Sequence, residues 1–127
     1  MKLKPCLSIT QGLLFTYCIE NSRSPEREKL ISSINVNRES DLKKLFEKLT
    51  KPEFMKYKHD ERQWHIDTLQ HFLAAGDSFD SVFYLFDTYF KDEILDKREF
   101  MKVLLSCLLT YDTEATTNES TWILPTE

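Results

Sequence analysis

With 127 residues, nine of them Phe, and 41% hydrophobic content, the chain has the length of one domain and ample material for one core. Two Gly and four Pro exclude a turn-rich β-sandwich and extensive disorder. A formal net charge of −4 excludes a general nucleic-acid binder.

In chain order, the segment from Leu7 to Ile19 is apolar and fits a helix or a strand, and Leu13, Leu14, Tyr17 and Cys18 fall at helical spacing, which favours the helix. It does not read as a signal peptide, because Thr10, Gln11 and Gly12 interrupt the apolar run and no small-residue cleavage site follows. Ser24 offers an N-cap and Pro25 a first helical position for PEREKLISSI, with Glu26 and Glu28 well placed for the helix dipole. After the break NVNRES, Ser40 is the expected cap of DLKKLFEKLT, in which Leu42, Leu45, Phe46 and Leu49 share one face. Pro52 stops that helix or starts the next, a short one in PEFMKYK.

The stretch DERQWHIDTLQHFLAAG carries a capping-box spacing from Asp60 to Gln63 and a C-cap glycine, Gly76. Asp77 or Ser78 then caps FDSVFYLFDTYF, and Asp96 with Glu99 caps KREFMKVLLSCLLTY. The polar run DTEATTNES reads as the start of a tail, 112–127, latched to the body by Trp122, Ile123 and Leu124. The expected fold is all-α, one domain over 1–127, a bundle of about six helices. No apolar run approaches the roughly 20 residues that span a bilayer.

Charge is unevenly placed. Residues 1–58 hold 12 Lys/Arg against 7 Asp/Glu, whereas residues 59–96 hold 2 against 9, so the middle third carries −7. An ideal helix turns about 100° per residue. With Ile66 at 0°, Leu69, Leu73 and Phe72 fall between about 240° and 340°, the expected core arc. Asp67, Asp60, His71 and Trp64 fall between about 100° and 160°, on a separate stripe. Asp80, Tyr84 and Asp87 repeat the Asp–aromatic–Asp pattern on a non-core face of the next helix. Trp and Tyr supply contact area at interfaces, and carboxylates steer a cationic surface. Asp60, Trp64, Asp67, His71, Asp80, Tyr84 and Asp87 are therefore the expected partner-binding residues. The competing expectation is that Trp64 packs under the N-terminal helices or the tail as a second core layer.

Chemistry is poorly marked. His59, His65 and His71 stand six apart and do not share a face, whereas zinc-binding helices place ligands at i and i+4. His65, at about 260°, reads as a satisfied imidazole on the core side. His71 follows Asp67 by one turn, without a nucleophile or oxyanion-hole motif to make a catalytic set. Cys6, Cys18 and Cys107 have no CxxC spacing and read as free thiols in a reducing cytoplasm, with no helix-start context to activate them. No catalytic residues, cofactor or metal are expected.

The segment FYLFDTYFKDEILDKREFMKVLL resembles a degenerate EF-hand. Counting from Asp87, ligand positions 3, 5 and 12 hold Tyr89, Lys91 and Arg98, and Glu99 arrives one residue late, so the calcium cage is not kept. That resemblance implies a helical regulatory module that binds a partner peptide, the second reading of the chain. In overall character, a small acidic helical chain with an aromatic-and-carboxylate surface, it is similar to bacterial immunity proteins of the colicin and contact-dependent growth inhibition systems. This resemblance implies a non-enzymatic cytoplasmic inhibitor. Its partner would be a cognate toxin with a basic surface, such as a nuclease, with no direct contact to nucleic acid or membrane.

Overall fold

A computed structural model describes residues 4–14, 17, 25–83 and 94–123, the last six of them by backbone alone. All regular structure in these residues is helical, in six pieces. We label them α1 (Leu7–Leu14), α2 (Pro25–Ser33), α3 (39–54), α4 (His59–Ala74), α5 (Asp80–Phe83) and α6 (Lys97–Ile123). The expected all-α bundle is what forms.

Local chemistry sets the ends, not always where the spacing suggested. Helix α3 begins at Glu39 with Arg38 as its N-cap, so Ser40 lies inside the first turn and does not cap it. Asp41 reaches back to accept the Asn35 backbone N–H, which ties the α2–α3 connection to the first turn without capping it. Pro52 does open a short α-helical turn, Lys51–Phe54, as expected, but the backbone stays helical across the junction with the segment before it. It has no N–H to give the Lys48 carbonyl, and its ring would clash there. The chain answers by widening: Phe46–Thr50 forms a π turn in which the Lys51 N–H bonds to the Phe46 carbonyl, five residues back. An ordinary turn, Lys51–Phe54, follows, so α3 runs on through the proline.

The N-terminus of α4 is also displaced from expectation. It starts at His59, and the Glu61 carboxylate accepts the Lys58 N–H at 3.0 Å, one half of a capping box, where Asp60 with Gln63 was expected. Its C-terminus is the one expected. Gly76 has φ of 78°, its N–H bonds to the Leu73 carbonyl, and the Asp77 N–H bonds to Phe72, the paired bonds of a Schellman ending. Asp77 and Ser78 then accept the N–H groups of Phe79 and Asp80, building the turn into α5. Asp96 caps α6 through the Glu99 N–H at 3.0 Å, as its spacing implied.

Helix α6 does not end near Tyr111. It continues through the polar stretch to Ile123, so residues 112–123, expected as tail, are helix. Tyr111 and Ala115 extend its buried face one turn further. The proposed latch of Trp122, Ile123 and Leu124 lies outside the described side chains.

The core gathers one face of each long helix. Phe46 sits edge-on between Tyr17 and Phe100, and Phe54 meets His65 and Tyr111. Helix α6 is the central element, packing most extensively on α4 and also along α3, while α1 lies against both α4 and α5. One charged pair is built into the α4–α6 seam. Arg62, 2% exposed, donates its Nε–H to Asp112 at 2.9 Å and an Nη1–H to the Tyr57 carbonyl. Among the described residues no helix is long and apolar enough to cross a membrane.

Candidate functional site

Helix α4 presents the expected stripe, and burial along it can be checked residue by residue. Arg62, His65, Ile66, Thr68 and Leu69 are buried, which spans about 200° to 360° on the wheel. Asp60, Gln70 and His71 are exposed, between about 40° and 140°. Trp64 lies on the boundary and is half-buried. It neither stands free in solvent nor joins the core.

What closes over that boundary is the N-terminal segment. The Trp64 indole N–H donates to the Lys4 carbonyl at 2.6 Å. One turn on, Thr68 Oγ1 accepts the Cys6 N–H at 3.2 Å. Gln11 adds a third tie, donating to the carbonyls of Ser81 and Val82 on α5. The cover therefore crosses from α4 to α5. This explains why Thr68, at about 200°, is fully buried although it is outside the arc drawn by Ile, Leu and Phe.

The carboxylates and the histidine differ in their ties. Asp60 is exposed at the first turn. Asp67 is half-buried and accepts the Gln63 side-chain amide at 2.9 Å. His71 is exposed, its ring edge-on to Phe72 at 4.9 Å. Asp80 is exposed but committed: Lys97 at 2.8 Å holds its carboxyl below the usual range. Tyr84 and Asp87, and with them the centre of the EF-hand-like segment, lie outside the described residues. Among the described residues no group of His, Cys, Asp and Glu is arranged to hold a metal ion. Asp96 and Glu99, in the second half of that segment, form the N-terminal cap of α6.

His65 behaves as its position implied. It is buried, stacked on Tyr57 at 4.9 Å, and its Nδ1 lies 2.8 Å from the Glu61 carbonyl, an acceptor that requires the proton on Nδ1. Burial lowers its pKa from 6.5. The cysteine expectation needs correcting at one position. Cys6 is exposed at the start of α1, where the Ser8 hydroxyl and then the Ser8 and Ile9 backbone groups lower its thiol pKa. Cys107 is buried, and burial raises its thiol pKa.

A concave feature away from this surface was not visible in the sequence pattern. A pocket of about 270 Å³ opens between the α2–α3 connection and the N-terminus of α6. Its apolar wall is Val36, Leu42, Phe100 and Val103, and its rim carries Glu39, Asp96 and Glu99. Leu95, 80% exposed, lines its mouth, with its backbone N–H fixed on the Asn37 side chain at 2.9 Å.

The geometry thus defines a small helical protein with an acidic, aromatic-edged surface and a separate acidic-rimmed pocket. Comparison with known proteins gave no match to a family model, a curated protein or a solved structure.

Proposed function

We propose that the chain is a non-enzymatic binding protein that neutralises a partner with a basic surface, in the manner of the immunity proteins it is similar to in character. The supporting observation is the fixing of Trp64 at the edge of the acidic arc. Its indole N–H is already bonded to the Lys4 carbonyl, so the ring is held in one pose before a partner arrives. A rigid aromatic offers contact area at little entropic cost, and Asp60, Asp67 and His71 on the adjoining arc give that contact its charge and register. A nuclease cleft is basic because it holds phosphates, so a surface of this kind occludes it without touching nucleic acid itself.

In this reading Asp60, Trp64, Asp67 and His71 make the described part of the interface, in a cytoplasmic protein that uses no cofactor. Asp80 joins only by exchanging Lys97 for a cation of the partner. The test is capture of a basic protein from the native host by the immobilised chain, followed by Trp64→Ala/Asp67→Lys. Loss of a central anchor lowers affinity by about 30-fold or more while the helical circular dichroism is kept. Raising the salt weakens the wild-type complex, since surface charges are screened over about 10 Å at 0.1 M. Unchanged capture by the double variant rejects this surface as the site.

A further inference from the structure

The pocket at the start of α6 has two chemically distinct parts, and two of the cations on that helix, Lys97 and Arg98, are engaged away from it. Val36, Leu42, Phe100 and Val103 give an apolar floor, all of it 5% exposed or less. Glu39, Asp96 and Glu99 stand on the rim. Lys97 points to Asp80, and Arg98 donates to the Asp77 and Leu73 carbonyls, so neither neutralises the rim. Lys43 pairs with Glu39 at 2.9 Å, whereas Asp96 and Glu99 form no ion pair among the described residues, Asp96 accepting the Glu99 N–H with one of its two oxygens. At about 270 Å³ the space falls below the roughly 300–1,000 Å³ of small-molecule sites, which suits one long side chain better than a cofactor.

We infer that this pocket receives a lysine side chain carried on the surface of a protein partner. The four-carbon stem lies along the apolar floor and the ammonium reaches Asp96 and Glu99, the arrangement long cationic side chains adopt when stem and head meet different surroundings. Leu95 argues for a protein as the source. It lines the pocket mouth, 80% exposed, with its backbone N–H tied to Asn37, so a ligand that continues past the mouth, as a protein surface does, covers more of it than one confined to the pocket. The inference rests on the reading of the chain as a binder of basic proteins and adds a second contact point, remote in sequence from Trp64.

The test uses the full chain with labelled Val and Leu methyl groups, titrated with n-pentylammonium, pentanoate and the tripeptide acetyl-Val-Lys-Val-amide. Pentylammonium should shift Val36, Leu42 and Val103 and bind more tightly than pentanoate. The double variant Asp96→Asn/Glu99→Gln keeps the helix cap, because Asn caps as well as Asp, and removes both charges. It should cost pentylammonium about fivefold, the upper range for exposed ion pairs, and leave pentanoate no weaker. The tripeptide should bind more tightly than pentylammonium, with Leu95→Ser lowering the tripeptide alone. Equal affinity for the two ions, or shifts centred away from these methyls, overturns the site. A tripeptide no tighter than pentylammonium, or indifferent to Leu95→Ser, overturns a protein as its occupant. Each result is independent of Trp64→Ala/Asp67→Lys, so failure here is separable from failure of the Trp64 surface.

Discussion

Arg62 and Asp112 meet inside the α4–α6 seam at 2.9 Å, the guanidinium 2% exposed and the carboxylate 17%. The pair joins the middle of the chain to the stretch that reads, by composition, as tail. Asp112→Ala leaves a buried guanidinium without its counter-charge, a change that costs about 3 kcal/mol, at the low end for such pairs because Arg62 keeps the Tyr57 carbonyl. Arg62→Met costs less, since water still reaches the Asp112 carboxylate. Urea unfolding of both variants measures the difference. A stop codon after Tyr111 should destabilise at least as much as Asp112→Ala, whereas a dispensable tail predicts no change.

His65 sets an acid limit on stability. Its pKa is depressed in the fold, from 6.5, because the buried ring is desolvated. The unfolded chain therefore takes up the proton first as pH falls. The contribution is complete above about pH 6.5 and is lost below it, down to the folded pKa, with a slope of at most about 1.4 kcal/mol per pH unit for one proton. Urea midpoints at pH 7.5 and 5.5 should differ in the wild type, and His65→Leu should reduce that difference.

Cys6 and Cys107 should separate cleanly in reactivity. One unit of thiol pKa is about tenfold in thiolate fraction, and the two groups are shifted in opposite directions. Iodoacetamide at pH 7.5, followed by peptide mass mapping, should label Cys6 first and Cys107 only on unfolding. Ser8→Ala should slow Cys6, since the Ser8 hydroxyl is the leading cause of its low pKa.

The turn between α4 and α5 contains two left-handed residues, Gly76 at φ 78° and Phe79 at φ 63°. Space is open around Gly76, so Gly76→Ala meets no clash and its cost is backbone alone, about 1–2 kcal/mol. Gly76→Asn should cost less. Phe79 is a different case, because its ring is fully buried. Phe79→Gly relieves the backbone but removes a core aromatic, and the loss of about 3–5 kcal/mol outweighs the relief. Thermal unfolding should rank Phe79→Gly well below Gly76→Ala.

Helix positions were legible because apolar spacing and punctuation act locally: Gly76, Asp96 and the Ile66–Leu69 face could be placed from neighbours alone. Caps were less so. Ser40 and Asp60 have the right chemistry, but Arg38 and Lys58 hold the cap positions; Glu61 accepts the Lys58 N–H from within the helix, and Asp41 ties the preceding connection to the first turn. The π turn escaped notice because a proline marks a disturbance without stating how the chain absorbs it. The length of α6 was hidden by its polar outer face, which Tyr111, Asp112 and Ala115 anchor only through partners far away in sequence. The site shows the same divide. Trp64 is off the core face, as spacing indicated, but the group it meets is a main-chain oxygen 60 residues earlier, and a carbonyl has no sequence signature.

That oxygen has a consequence for how the surface can change. Trp64 is seated by the backbone of residue 4, and Thr68 by the backbone N–H of residue 6. The side chains of this cover are thus at liberty to differ, subject to one demand: position 6 must not become proline, although position 5 already is. Lys4 and Cys6, both exposed, can be rewritten to suit a new partner while the tryptophan keeps its place.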